Sequence, residues 1–444
     1  YLNFWLGKGD TSQLKKVFRI CFTIHVAISF LILLLGETIG LWIMNCTLNI
    51  PEGRMFAANW VYQISVLSAC VGILGVPFES AIIAKEKLSI YAYISIVEAI
   101  LKLLLVFLLF HSPIDILIYY AILIFAVNTI VLVWKLLYCF KKIDFSRPKI
   151  LFSKKETKEI GKFTSWSLFG QIAYIGSTTG LNMVINVFLG VTINAAVGIA
   201  NQVNTIVYNF VGNFQTSFNP QLIQTYSSNN LPEHRILISR ASRISLYLLL
   251  LLAVPIIFNA DFILDIWLVD VPEYASSFLI AILLCSIVEA YGAPLWMSMQ
   301  AIGQIKIYQI VVSSINALIL PVAYLLLLFG ISPVWIFVAK VFIAIILYLY
   351  RVVYILPKVG GVPTTYFREN ILRSLLIISS SFFIAWGVSS SLSEPWIKLI
   401  VTTLVSVIFT LFVIYIWGLT QSEKLFVTNK MKDIKHRCFP KTLE

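Results

Sequence analysis

The segment from 194 to 219 has the chain's densest run of side chains able to hydrogen-bond a polar ligand. On a helical wheel, its amides and hydroxyls fall within about half of the circumference, and the other half is almost wholly apolar. An unsatisfied polar group in lipid is costly, so this face must contact protein or water. Its polar members are Asn194, Asn201, Gln202, Asn204, Thr205, Tyr208, Asn209, Asn213, Gln215, Thr216 and Asn219.

The preceding apolar segment carries a thinner polar stripe at helical spacing, which includes Gln171 and Asn182. Such side chains either join helices to one another or line a water-filled cavity. So many amides on one helix favour the cavity, and neutral amides and hydroxyls suit sugar hydroxyls better than an isolated cation. The candidate substrate-path residues are therefore Asn194, Asn201, Gln202, Asn209, Asn213, Gln171 and Asn182.

A few charged side chains lie inside otherwise apolar segments, where each is costly unless it is paired or hydrated. Lys340, Lys102 and Arg243 are candidates to attract a phosphate group, and Glu289 is a candidate to carry a proton. Glu98 and Lys102 are four residues apart, so an ion pair within one helix explains them equally well. Lys340 has no acid nearby on its own helix, which makes it the strongest candidate.

Residues for covalent or metal chemistry are not evident. The six cysteines and four histidines are scattered, and none stands in a spacing typical of metal ligands, redox pairs or hydrolytic triads. The sequence therefore predicts no catalytic residue, no metal site and no cofactor, and the protein is not expected to be an enzyme.

Composition indicates the class of protein. Hydrophobic residues make up 59% and charged residues 12% of the chain. Soluble domains have about 45–50% and about 25%. With about 20 apolar residues per span, we predict an all-α polytopic membrane protein with twelve helices, centred near 30, 70, 100, 127, 175, 206, 252, 289, 317, 345, 381 and 407.

The net charge of +12 has a topological explanation rather than a nucleic-acid one. In an alternating topology nearly all basic residues outside the spans fall on one side, and the other side has only Arg54 and Lys398. By the positive-inside rule both termini are then cytoplasmic. We predict a multi-pass protein of the cytoplasmic membrane with no nucleic-acid partner.

The chain also repeats itself, since 77–91 matches 294–308 at a constant offset of 217 residues. The repeat predicts two pseudo-symmetric helical lobes in the same orientation. The segment 161–224 has no counterpart in the first copy, so the first lobe is expected to lack its first two helices, which would precede residue 1. The predicted domains are 1–140 (first lobe, four helices), 141–160 (cytoplasmic linker), 161–357 (second lobe, six helices), 358–420 (two additional helices) and 421–444 (basic cytoplasmic tail).

Four sequence stretches, in their order and spacing, resemble a known family. They are FWLGKGD at 4–10, VTINAAVGIANQV at 191–203, SFNPQLIQTY at 217–226 and PLWMSMQAIGQIKIYQ at 294–309. The chain resembles the polysaccharide or O-antigen (Wzx-type) flippases of the multidrug/oligosaccharidyl-lipid/polysaccharide exporter superfamily. The resemblance implies fourteen helices, arranged six plus six plus two, with the amide helix lining a central cavity.

The function implied by the resemblance is transfer of an undecaprenyl-pyrophosphate-linked oligosaccharide to the outer leaflet of the bacterial cytoplasmic membrane by alternating access. The expected partners are that lipid-linked substrate, membrane lipid and a coupling cation, H⁺ or Na⁺. A cation-coupled multidrug antiporter of the same fold is the nearest alternative, and acids rather than amides should dominate its cavity. A membrane glycan polymerase is a more distant alternative, since it needs large outer loops that this chain lacks.

Overall fold

The computed structural model describes residues 2–46, 52–110, 112–421 and 423–425, and every regular element within these ranges is helical. Three π-helical turns, Gly36–Gly40, Phe367–Ile371 and Ile414–Gly418, and two 3₁₀ turns, Glu52–Arg54 and Leu356–Val359, adjoin the α-helices. The α-helices are α1 (Leu2–Gly7), α2 (Thr11–Leu35), α3 (Leu41–Cys46), α4 (Met55–Ala84), α5 (Leu88–Leu109), α6 (Ile116–Lys142), α7 (Lys154–Ser227), α8 (Leu231–Phe258), α9 (Ala260–Trp267), α10 (Ala275–Ile302), α11 (Ile305–Ala317), α12 (Ile319–Leu328), α13 (Val334–Ile355), α14 (Pro363–Tyr366), α15 (Leu372–Ser390) and α16 (Pro395–Val413). Of the predicted tail 421–444, 422 and 426–444 lie outside the described residues.

Eleven helical segments within the described residues are long and apolar enough to cross a membrane, so the chain is a multi-pass membrane protein. The sequence predicts twelve. The segment that differs is 191–227, which is helical but is not among the eleven because its amides lower its hydropathy. The all-α membrane fold is thus confirmed. The predicted helix that is not apolar enough to count as a span is 191–227, the most polar of the twelve.

A single residue interrupts α7 and divides it into a first limb (154–189) and a second limb (191–227). Gly190 has φ 80° and ψ −175°, a conformation that is essentially restricted to glycine. A Cβ added at this position would meet no atom within 4 Å, so backbone conformation rather than lack of space requires the glycine. The break allows the two limbs to run in different directions.

Contacts between Cα atoms divide the chain into two compact units, Tyr1–Thr164 with Ile223–Asn229 (unit one) and Ser165–Leu222 with Asn230–Glu444 (unit two). In unit one, α4 packs against α2 and α6. Its core includes edge-to-face aromatic contacts of Phe18 with Phe78 and with Phe145, at centroid distances of 5.7 and 6.1 Å. The predicted domain boundaries remain a prediction.

Helices α8 and α10 form the centre of unit two. In the most apolar window of each, 67% and 72% of residues are buried, against 11–33% in the other nine spans. Helix α10 packs against α8 and α13, and the C-terminal pair α15 and α16 packs against α8. Residues on α10 and α13 are therefore held next to each other, and this places the candidate site.

Candidate functional site

A cavity of about 470 Å³ lies inside unit two. Its walls come from the first limb of α7, from α10, α11 and α13, and from Tyr208 on the second limb. The polar and charged residues that line it are Ser167, Gln171, Tyr174, Ser177, Thr178, Tyr208, Cys285, Glu289, Gln300, Tyr308, Gln309, Ser313, Asn316, Lys340 and Arg351. A cavity with this lining can bind a polar ligand at membrane depth.

Three charged side chains face this cavity. Glu289 comes from α10, and Lys340 and Arg351 come from α13, and each is half-buried. None of the three forms an ion pair within 4.0 Å with any residue that the structure describes. Because one carboxylate stands with two cations, the cavity carries a net positive charge when all three are ionised.

Helical spacing explains why the two cations share the cavity. Lys340 and Arg351 are eleven residues apart, which is about three turns of an α-helix, so they lie on nearly the same face of α13. The adjoining face packs against α10 through aromatic contacts, with Phe337 4.6 Å from Phe278 and Tyr348 4.9 Å from Tyr291 between ring centroids. This packing holds α13 with its cations beside α10.

Neighbouring groups restrict the position of Arg351. Its Nε donates a hydrogen bond to the Tyr308 hydroxyl at 3.0 Å. Gly292 on α10 leaves space for it, since a Cβ there would lie 2.9 Å from a terminal guanidinium nitrogen of Arg351. Gly170 similarly leaves space for the amide of Gln309. The glycines thus allow two polar side chains to extend along the cavity wall.

Of the residues predicted from the sequence, Gln171, Glu289 and Lys340 line this cavity together. The other predicted substrate-path residues do not line it: Asn182, Gln202, Asn209 and Asn213 are exposed, and Asn194 and Asn201 are half-buried. Their contact with an aqueous path remains a prediction.

Two other amides of the second limb join helices. The Ser286 hydroxyl donates to the Asn204 side-chain oxygen at 2.7 Å. Gln215 donates to the Ser245 hydroxyl at 3.1 Å and to the Ala290 carbonyl at 3.2 Å. Since these bonds connect the limb to α8 and α10, part of the polar face has a packing role. The exposed part of that face includes Gln202, Asn209 and Asn213.

The remaining predicted charges have protein partners. The Lys102 ammonium lies 2.6 Å from the Glu98 carboxylate in α5, which is the intrahelical pair that their spacing allows. Arg243, on α8, is buried and donates to the Asn370 side chain at 2.8 Å and to the Glu423 carboxylate at 3.0 Å. Their assignment to phosphate or ion coupling remains a prediction.

Sequence reasoning missed Arg351, Tyr308 and Gln309. The signal for Arg351 was available, since it is a lone charge among apolar residues and follows Lys340 by eleven positions. No local signal indicated Gln309, because a single amide on a short segment is unremarkable until its neighbours are known. Among the described residues, no group of three or more His, Cys, Asp and Glu side chains could hold a metal ion.

Solved structures of low sequence identity share this fold. A multidrug resistance MATE family transporter of the MOP superfamily in an outward-facing conformation has a TM-score of 0.66 at 11% identity, covering 81% of each chain. A MOP superfamily transporter from Pyrococcus furiosus has a TM-score of 0.66 at 12% identity, covering 81% of this chain and 83% of that one. A Vibrio cholerae MATE transporter in the bent form has a TM-score of 0.61 at 15% identity, covering 79% and 82%.

These matches show the fold of the protein, which is MATE-like. No protein-family model matches the chain, and no curated protein does. The fold agrees with the one that the sequence-based resemblance implies, and the assignment of the chain to a transporter family belongs to the proposal below.

Proposed function

We propose that this protein is a cation-coupled secondary transporter that moves an amphiphilic substrate across the membrane by alternating access. The observation that carries the proposal is the cavity of unit two, where Glu289, Lys340 and Arg351 meet. Charges at membrane depth are costly unless a ligand, an ion or water compensates them. In this proposal the Glu289 carboxylate binds the coupling cation. The Lys340 and Arg351 side chains either bind an anionic group of the substrate or repel the coupling cation so that it is released.

The fold comparisons favour a cation-coupled antiporter, since two of the similar structures are MATE transporters and one of these is a multidrug resistance protein. In this version Glu289 binds H⁺ or Na⁺ in exchange for the substrate. A carboxylate facing a polar cavity can alternate between a charged and a neutralised state, as such coupling requires. The multidrug antiporter is the better supported of the two functions at the level of the fold.

The charge of the cavity favours a second candidate, the lipid-linked oligosaccharide flippase. Lys340 and Arg351 outnumber Glu289, and a guanidinium matches the geometry of phosphate oxygens. Gln171 and Gln309 add neutral donors and acceptors that suit sugar hydroxyls. The similar transporter from Pyrococcus furiosus is described as having a binding pocket of reverse polarity, so pocket charge varies among proteins of this fold.

The two functions are separated by assaying both substrates in proteoliposomes that contain the protein. One assay measures efflux of the cationic dye ethidium driven by a H⁺ or Na⁺ gradient, and the other measures translocation of a fluorescent undecaprenyl-pyrophosphate-linked sugar. Glu289→Gln should abolish gradient-driven transport of either substrate. If the Glu289→Gln variant transports at the same rate as the unaltered protein under the same gradient, Glu289 does not couple transport to the cation.

The cavity cations provide the second comparison. For an anionic lipid-linked substrate, Lys340→Gln and Arg351→Gln should each reduce transport about tenfold or more, since a hydrogen bond to a charged group is worth about 1.5–3 kcal/mol. Lys87→Gln, which removes an exposed cation outside the cavity, is the matched control. If the substrate is instead a cationic dye, the same two variants should transport the dye as well as or better than the unaltered protein does. Unreduced transport of the lipid-linked sugar by both variants would exclude the flippase.

The other predictions fit within this proposal. The exposed amides Gln202, Asn209 and Asn213, with the half-buried Asn201, would form a wet wall of the substrate path, and the lobes 1–140 and 161–357 would move relative to each other. Helices of 358–420 would hold the lipid tail of a flippase substrate. The distribution of basic residues supports a location in the cytoplasmic membrane with both termini inside, and protease accessibility of the tail tests this.

A further inference from the structure

A second pocket in unit two collects arginine side chains at one end of the helices. It has a volume of about 550 Å³ and lies where α8 begins, α13 ends and α15 begins. Four arginines line it, Arg235, Arg240, Arg243 and Arg373, together with two acids. This is the end that the positive-inside rule places on the cytoplasmic side.

The acids in the pocket compensate only part of this charge. Glu423 is shared, since it accepts from Arg240 Nε at 3.1 Å and from a terminal nitrogen of Arg243 at 3.0 Å. The other acid, Glu369, is exposed and forms no ion pair within 4.0 Å with a described residue. The pocket therefore keeps a net positive charge, and its arginines retain N–H donors that the shared carboxylate does not use.

The two outer arginines can accept a further anion. Arg235 is held in place because one terminal nitrogen donates to the carbonyls of Val359 and Gly360, at 3.1 and 3.0 Å. Arg373 is exposed and makes no hydrogen bond to any residue that the structure describes. A planar guanidinium binds phosphate oxygens through two parallel N–H groups, so a phosphate group is the matching ligand.

An apolar groove of about 510 Å³ adjoins this pocket and shares Arg373 and Thr420 with it. Its apolar lining includes Leu376, Ile416 and Trp417, which are 59%, 42% and 54% exposed. A soluble phosphate would leave this groove unused. A phospholipid would fill both, with its headgroup among the arginines and its acyl chain along the groove.

We propose that this arginine pocket binds the phosphate headgroup of an anionic phospholipid, with an acyl chain in the adjoining groove. The site is separate from the cavity that contains Lys340, and the inference does not depend on which substrate is transported. Basic pockets between membrane helices on the cytoplasmic side are a recognised mode of binding anionic lipid headgroups. The shared Glu423 leaves the outer arginines, Arg235 and Arg373, as the main contacts for the headgroup.

The test measures lipid binding to the delipidated protein in detergent by native mass spectrometry, with phosphatidylglycerol, phosphatidylcholine and inorganic phosphate as separate probes. The unaltered protein should bind phosphatidylglycerol more tightly than phosphatidylcholine. Arg373→Gln should weaken phosphatidylglycerol binding about fivefold, since a basic residue near a lipid surface contributes about 1 kcal/mol. Arg373→Lys, which keeps the charge but lacks the planar pair of N–H groups, should recover only part of the affinity.

Arg368→Gln is the matched control, because Arg368 is an exposed arginine five positions earlier that does not line the pocket. It should leave phosphatidylglycerol binding unchanged. Equal losses in Arg368→Gln and Arg373→Gln would show that surface charge alone attracts the lipid and would overturn the proposal. Saturation by inorganic phosphate with no preference for phosphatidylglycerol would overturn it as well, since the site would then be one for soluble phosphate.

Discussion

Replacing Gly190 by alanine should destabilise the protein although the new methyl group touches nothing. The residue has φ 80° and ψ −175°, and no atom lies within 4 Å of an added Cβ. Holding a residue other than glycine in such a conformation costs about 1–3 kcal/mol. We therefore expect Gly190→Ala to lower the free energy of unfolding by that amount, or to change the turn between the two limbs of α7.

A second glycine on the same helix provides the control. Gly198 also has open space around its Cβ position, but it lies within the second limb without a positive φ. Gly198→Ala should stabilise by about 0.5–1 kcal/mol, since alanine loses less backbone entropy in a helix. The two variants should thus differ by about 1.5–4 kcal/mol.

The assay is unfolding of the purified protein in mixed micelles by titration with SDS, followed by circular dichroism. Gly190→Asn should not recover stability, because asparagine tolerates the left-handed region near ψ +30 to +60° and not ψ near 180°. Equal stabilities of Gly190→Ala and Gly198→Ala would refute the argument from backbone conformation. Recovery by asparagine would mean that the residue adopts the left-handed helical conformation instead.

Three further outcomes are expected. In a background without natural cysteines, Asn209→Cys should react with a membrane-impermeant thiol reagent and Phe210→Cys should not, because the first lies on the polar face of the second limb and the second on its apolar face. Equal labelling of the two would mean that the polar face does not line an aqueous path. Gly292→Ala should reduce anion transport about as much as Arg351→Gln, since its Cβ would lie 2.9 Å from the Arg351 guanidinium; unchanged transport would show that this guanidinium can move freely. Burial acts to raise the pKa of Glu423, but the Thr420 N–H and the Arg243 guanidinium outweigh it and the pKa is lowered from 4.5. The contacts of the ionised Glu423 carboxylate should therefore stabilise the protein fully above pH 4.5 and lose this effect as the pH falls below it. The melting temperature should then depend less on acid pH in Glu423→Gln than in the unaltered protein, and identical dependence of the two on pH would contradict this.

The parts of the structure that were predicted correctly depend on residues close together in the chain. The all-helical membrane fold follows from runs of apolar residues, which determine where a backbone can satisfy its hydrogen bonds within lipid. The Glu98–Lys102 ion pair follows from a spacing of four residues on one helix. Gln171 was singled out because it belongs to a polar stripe at helical spacing, and Glu289 and Lys340 because they are charges in apolar segments; their roles remain predictions.

The groupings of these residues were decided only by the tertiary structure. Glu289 on α10 meets Lys340 and Arg351 on α13, whereas Arg243 lies in a different pocket with Asn370 and Glu423. The sequence could not make this distinction, because all of these charges look alike along the chain. Lipid is as apolar as the helix surfaces, so the apolar pattern that determines the helices does not select their neighbours. That selection depends on close packing and a few polar contacts between residues far apart in the sequence.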